Sequence, residues 1–135
     1  MKEDHRDMAE ELFSHMSFSM TENGTVQPMY IMILPNNTTM PIVLQDKNIP
    51  IELYCEAAHG AAKQMNAVAM MLISERVLHD EESYLTLMYM TAIGECESIV
   101  SKIYSDGFGT KYTTDEREWI DVDSSSLLIP WKEGN

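Results

Sequence analysis

Cysteine, basic residues, long apolar runs and catalytic signatures are all scarce in this chain of 135 residues. Cys55 and Cys96 are the only two cysteines, too few for a disulfide framework. A chain of this length needs none, because one core can bury roughly 68% of its unfolded surface. No apolar stretch approaches the ~18 residues of a membrane span, and no N-terminal segment has the form of a signal peptide. The expectation is one domain over residues 1–135, in the cytoplasm, with both thiols reduced. The Asn-x-Thr matches at Asn36 and Asn37 then carry no glycosylation meaning. Lysine and arginine number nine against twenty-two acids, a formal net charge of −13. Without a basic patch to displace counterions, direct binding to nucleic acid or to an anionic membrane is disfavoured. No Gly-x-Gly-x-x-Gly, Walker loop, Gly-x-Ser-x-Gly or His-Glu-x-x-His occurs, and EF-hand spacing is missing. No cofactor is implied.

What the chain does contain is a helix that leads almost directly into a buried strand. Over residues 50–66, Ile51, Tyr54, Ala58, Ala61, Ala62 and Met65 recur at the spacing of one helical face. Glu52, Glu56, His59 and Lys63 take the other side. Pro50 suits the first turn, and Asp46 or Asn48 could cap it. Gly60 inside a helix costs about 0.8–1 kcal/mol against alanine, so its expected role is close approach of the helix to a sheet. From residue 67 the period changes to an unbroken apolar run through Ile73, the pattern of a central strand covered on both faces. Polarity returns at Ser74, Glu75 and Arg76.

Elsewhere, residues 2–20 read as a helix with an apolar stripe of Met8, Ala9, Leu12, Phe13, Met16 and Met20, followed by a turn over residues 21–24. Residues 29–34 and 40–44 form a hairpin, and Pro41 places its second strand at an edge. Residues 67–78 and 84–93 are expected to be antiparallel neighbours. Residues 98–104 alternate as a half-exposed strand, and after the turn at 105–109 the chain returns as a strand over 110–113. Thr113-Thr114-Asp115-Glu116 has the form of a capping box for a helix through Ile120. The fold class is therefore α+β: a largely antiparallel sheet of about five strands with two packed helices. Twelve methionines, most of them in expected strands, suit core filling first and an adaptable contact surface second.

The residues over 28–34, 39–44, 57–62 and 68–75 carry a resemblance. The order of Pro-bounded hairpin, Ala-rich helix and apolar strand ending in Ser-Glu resembles small bacterial and phage α+β proteins with no assigned function. Those proteins often continue into Ala-Trp where this chain reads Arg76-Val77. The resemblance implies a fold, not an activity.

Several constellations bear on chemistry. Cys55 and His59 stand four apart on one helix, as two metal ligands could, but nothing completes a ligand set. Glu75, Arg76 and His79 emerge together at a strand end and mark a candidate pocket. Antiparallel pairing puts Glu95 and Cys96 at the opposite end, which separates Cys96 from His79 as a nucleophile and base. Asp115, Glu116, Glu118, Asp121 and Asp123 surround Trp119, an acidic frame about an aromatic anchor. Trp131 lies in an apolar, Pro-containing segment that could face a partner.

The expected function is a non-catalytic acidic interaction protein, such as a phage or bacterial accessory or inhibitor protein that engages a host protein. The alternative is a small enzyme or ligand-binding domain with a pocket near Glu75, Arg76 and His79. The expected binding residues are Glu75, Arg76, His79, Trp119 and Trp131. A homodimer through the hairpin over residues 28–45 is also expected, because residues 23–66 hold three acids against two lysines and β-strand surface there needs cover.

Overall fold

A computed structural model of the chain describes residues 2–24, 26, 28–42, 51–78, 80–114, 116–121 and 129–132. Helix α1 (Glu3–Asn23) buries His5, Ala9, Phe13, Ser17 and Met20, one face at three- and four-residue intervals. The helix continues past residue 20, its expected end. Gly24, at φ 71°, closes it by donating its N–H to the Met20 carbonyl at 2.7 Å.

Strands β1 (Met29–Ile33) and β2 (Thr39–Ile42) make the expected hairpin. Helix α2 (Ile51–Gln64) follows and buries Tyr54, Cys55, Ala58 and Ala62. It ends in a Schellman turn: Asn66 takes φ 55°, Ala67 N–H reaches the Ala62 carbonyl at 2.9 Å, and Asn66 N–H reaches Lys63 at 3.4 Å. That turn is why the helix meets strand β3 (Ala69–Val77) with so little loop. Strands β4 (Ser83–Thr91) and β5 (Cys96–Ser105) continue the sheet as antiparallel neighbours.

Two short strands, β6 (Lys111–Thr113) and β7 (Glu118–Ile120), share the far edge of β5, the first beside Ile103–Ser105 and the second beside Ser98–Val100. The sheet order is β2-β1-β3-β4-β5-β6, with β7 on β5, and every pairing is antiparallel. The core of the sheet is the expected five strands, and the two three-residue strands extend it.

Side-chain alternation divides the core into two layers. Ala69, Met71 and Ile73 of β3, with Leu85, Leu87, Tyr89 and Ile99, pack under α1. Met70 and Leu72, with Tyr30, Met32, Met88 and Met90, pack under α2. The helices thus lie on opposite faces of the sheet, and β3 is buried from Ala69 through Ser74 without help from a second subunit. Met32, Met70, Met71, Met88 and Met90 are all core residues.

Four local expectations are corrected. Gly60 is exposed, and a Cβ built there meets nothing within 4 Å, so the helix does not approach the sheet through it. Met65 is 40% exposed, beyond the end of the buried face. The segment after Thr113 is extended, not helical: the Thr113 hydroxyl that would cap it bonds Ser17 Oγ of α1 at 2.5 Å, and residues 118–120 join the β5 ladder. Strand β5 is more buried than a half-exposed strand: Ile99 and Ser101 lie on the face that α1 covers, and Ser98 and Val100 on the other face are buried as well. Asp46, Asn48 and Pro50, proposed for the start of α2, lie outside the described residues, as do Val43 and Leu44 of the second expected strand.

Strand β2 is the outer strand next to β1, as Pro41 requires. Leu34 N–H bonds the Thr38 carbonyl at 2.9 Å. Counting by two from that pair makes Met32–Met40 and Tyr30–Ile42 hydrogen-bonded pairs. Pro41, between them, turns its nitrogen away from β1, where no ladder bond is lost.

Candidate functional site

On the α2 side of the sheet, register brings four half-buried residues from three strands together. Tyr84 (β4) pairs with Lys102 (β5), Tyr104 lies two residues along β5, and Tyr112 (β6) pairs with Tyr104. The Tyr104 and Tyr112 rings stack with centroids 5.7 Å apart and 24° between planes. Lys102 Nζ stands 5.5 Å from the Tyr104 centroid and 3.8 Å from Glu82 Oε2. The Tyr84 hydroxyl donates to Asp80 Oδ2 at 2.5 Å, which raises its pKa and keeps the phenol protonated. A depression of about 400 Å3 opens beside this strip, with Tyr84, Val100, Lys102, Glu116 and Glu118 in its lining.

The β5–β6 turn carries Phe108 at the end of the strip, 94% exposed. The turn is closely tied. Asp106 Oδ1 accepts from Phe108 N–H at 2.8 Å and Thr110 N–H at 3.2 Å. Asp106 N–H reaches the Thr110 carbonyl at 3.1 Å, and Ser105 Oγ accepts from Gly107 N–H at 3.4 Å. Phe108 is therefore a large apolar side chain held out into water on an ordered backbone.

A second feature lies under the start of α1. His5 is 2% exposed, and its Nδ1 is 2.6 Å from the Tyr89 hydroxyl. Burial pushes the Tyr89 pKa to about 12, so the phenol stays protonated in its hydrogen bond with Nδ1. Burial also lowers the His5 pKa, opposed by the nearby Asn37 side chain. Among the described residues, Nε2 on the other side of the ring makes no hydrogen bond. A cavity of about 540 Å3 adjoins this pair, between the start of α1 and the end of β4. Burial raises the pKa of the Cys96 thiol, the opposite of what a nucleophilic cysteine needs.

The residues singled out in the sequence do not converge. Glu75 faces the α1 side, where it accepts from Val26 N–H at 3.4 Å and pairs with Lys111 Nζ at 3.3 Å. Arg76 faces the α2 side beside Tyr84, with Nη1 at 3.1 Å from Met88 Sδ. His79 lies outside the described residues. Trp119 is half-buried against α1, its Nε1 donating to Glu10 Oε1 at 2.7 Å and the Arg6 guanidinium 4.8 Å from its ring. Trp131 is 6% exposed, and its Nε1 donates to the Ala67 carbonyl at 2.7 Å. Both indoles are therefore engaged within the chain.

Of the acidic run, Glu116, Glu118 and Asp121 are exposed, while Asp115 and Asp123 lie outside the described residues. His59 is 3.2 Å from the Pro130 carbonyl through Nε2. Among the described residues, no group of three or more His, Cys, Asp or Glu side chains is placed to hold a metal ion, and no helix is long and apolar enough to cross a membrane.

Sequence reasoning missed the tyrosine strip and the His5–Tyr89 pair. The strip had one local signal, the Lys102-x-Tyr104 alternation, but Tyr84 and Tyr112 join it only through register. The class is defined by the architecture: an α+β domain with a central antiparallel sheet and one helix on each face. Compared with known proteins, the chain matches no family model, no curated protein and no solved structure.

Proposed function

We propose that this chain is a non-catalytic protein-binding domain, with Phe108 as the anchor of the contact and the Tyr84–Tyr104–Tyr112 strip as its floor. The observation that carries the reading is Phe108, 94% exposed on a turn already ordered by its own hydrogen bonds. Burying such a side chain in a partner pocket is worth about 1.5–3 kcal/mol. The ordered turn spares the entropy that a flexible loop would lose on binding. Tyrosine and a central aromatic anchor are also what energetically dominant interface residues tend to be. The net charge of −13 favours a basic partner. A bacterial or phage accessory or inhibitor protein acting on a host protein is the setting that suits this surface.

The test is affinity capture from a lysate of the source cells with the wild-type chain and with Phe108→Asp. A partner held by the first and lost from the second is expected, while both melt at the same temperature. With that partner purified, Phe108→Ala is expected to weaken binding about 30-fold or more, the level of an interface hot spot. Equal binding by the variants refutes the anchor.

A further inference from the structure

The cavity of about 540 Å3 beneath the start of α1 lies on the α1 side of the sheet, away from the tyrosine strip. Lys2, His5, Tyr89 and Lys132 bring hydrogen-bonding groups to its wall, and Val68 and Ile93 an apolar side. Among the described residues, neither of these two ammonium groups has an ion-pair partner, whereas Lys102 and Lys111 are paired with Glu82 and Glu75. Lys2 stands at the N-cap of α1, and no side chain caps the helix there. The N–H groups of residues 3–5 therefore lack acceptors within the helix, at the end of the helix that favours negative charge.

His5 is an independent sign of a ligand. Its ring is 2% exposed and belongs to the cavity wall. Tyr89 holds Nδ1, while Nε2 is buried and makes no hydrogen bond among the described residues. Buried polar atoms are nearly always paired. An oxyanion selects the tautomer with the proton on Nε2, and Tyr89 then donates to Nδ1. The acids nearby do not cancel this preference. Among the described residues, Glu95 is the one carboxylate in the lining, against two lysines. Glu3 and Asp4 in the first turn of α1 are exposed, and Asp4 accepts from Asn37 Nδ2 at 3.3 Å. Glu97, opposite Tyr89 in the ladder, already has a partner.

We infer that this cavity binds a small organic oxyanion, a carboxylate or phosphate group carried on an apolar body. The oxyanion meets the start of α1, both ammonium groups and His5, and the apolar body lies along Val68 and Ile93. The volume is that of a small-ligand site. This binding goes beyond the protein-contact reading and does not depend on it.

Isothermal titration calorimetry with hexanoate, hexyl phosphate, inorganic phosphate and hexylamine tests the inference. At least one hexyl anion is expected to bind with a Kd below about 1 mM, and the tighter of the two names the oxyanion. Inorganic phosphate, with no apolar body, is expected to bind about tenfold more weakly or less, and hexylamine not at all. Lys2→Gln with Lys132→Gln is expected to weaken the hexyl anion about tenfold, and His5→Phe to do likewise. Both lysines are exposed, so the first variant keeps the test valid if His5→Phe melts early. Lys63→Gln with Lys111→Gln removes the same charge elsewhere and is expected to leave binding unchanged. In NMR spectra the bound anion is expected to shift the amide resonances of residues 3–5 and 91–95.

The lack of binding by both hexyl anions overturns the inference. So does equal weakening by the two lysine pairs, which assigns the affinity to overall charge, and so do shifts confined to another part of the chain. Inorganic phosphate binding as tightly as hexyl phosphate overturns the apolar body, and a folded His5→Phe variant with unchanged affinity overturns the role of His5.

Discussion

Trp131 offers a direct choice between a surface anchor and a core residue. Its indole is 6% exposed in the α2-side layer, and Nε1 donates to the Ala67 carbonyl at 2.7 Å. The backbone N–H groups of Trp131 and Lys132 both reach the Ala92 carbonyl, at 3.1 and 3.0 Å. Trp131 thus fastens residues 129–132 to the segment leaving α2 and to the end of β4. Trp131→Ala removes the indole and leaves a cavity, a loss of about 3–5 kcal/mol. Trp131→Phe keeps most of the apolar volume but strands the buried Ala67 carbonyl, about 1–3 kcal/mol.

Urea denaturation followed by far-ultraviolet circular dichroism measures both without relying on indole emission. The midpoint should fall in the order wild type, Phe variant, Ala variant. For a domain of this size the Ala variant should melt about 10–20 °C lower. With Trp119→Phe as background, Trp131 is the sole indole, and its emission should be blue-shifted in the folded state. A Trp131→Ala midpoint within about 0.5 kcal/mol of wild type, the range of an exposed substitution, would refute the core placement and return Trp131 to the surface.

Three further outcomes follow from local geometry. Gly60→Ala should stabilise the domain by about 0.5–1 kcal/mol, because Gly60 sits in α2 with open space at its Cβ position; a loss on thermal melting would mean that the helix face is wrongly assigned. Gly94→Ala should instead destabilise by about 1–2 kcal/mol or more, since φ is +102° and the new Cβ would lie 3.0 Å from Pro130 Cγ. Acidification should weaken the fold through His5, whose pKa is lower in the folded chain than the ordinary 6.5. The neutral ring's contribution is complete above pH about 6.5 and is lost as pH falls through the folded value, because the unfolded chain takes up the proton first. His5→Gln should flatten that part of a stability–pH curve, and an unchanged slope would remove His5 as its source.

How much was legible can be argued residue by residue. The apolar run through Ile73 required cover on both faces, and α1 and α2 provide it. Pro41 announced an outer strand because its ring cannot donate to a central ladder. The strand pair around residues 78–82 followed from two apolar segments joined by a short charged turn. The segment after Thr113 was read wrongly because a capping box is a local pattern, and here its Thr hydroxyl is claimed by Ser17, far away in sequence. The two tryptophans looked available for the same reason: nothing near Trp119 or Trp131 in the chain reveals Glu10 or Ala67 as its hydrogen-bond acceptor. Glu75 and Arg76 are adjacent in sequence and on opposite sides of the sheet, so their proximity in the chain carried no shared site. The tyrosine strip depends on register across β4, β5 and β6, which no single segment encodes.

The outward-turned nitrogen of Pro41 has a consequence for how chains meet at high concentration. An outer strand ordinarily offers a neighbour alternating donors and acceptors, a template on which another strand can zip. Along the described part of β2, that outer rim belongs to Thr39 and Pro41, and Pro41 supplies a carbonyl without a donor. An incoming strand would have to leave its own acceptor unpaired at that step and work around the pyrrolidine ring. At the opposite rim, the break between β6 and β7 limits each exposed strand to three residues. A chain with so many β-branched and methionine side chains in its strands thereby resists sheet-to-sheet polymerisation while its own sheet stays fully paired inside.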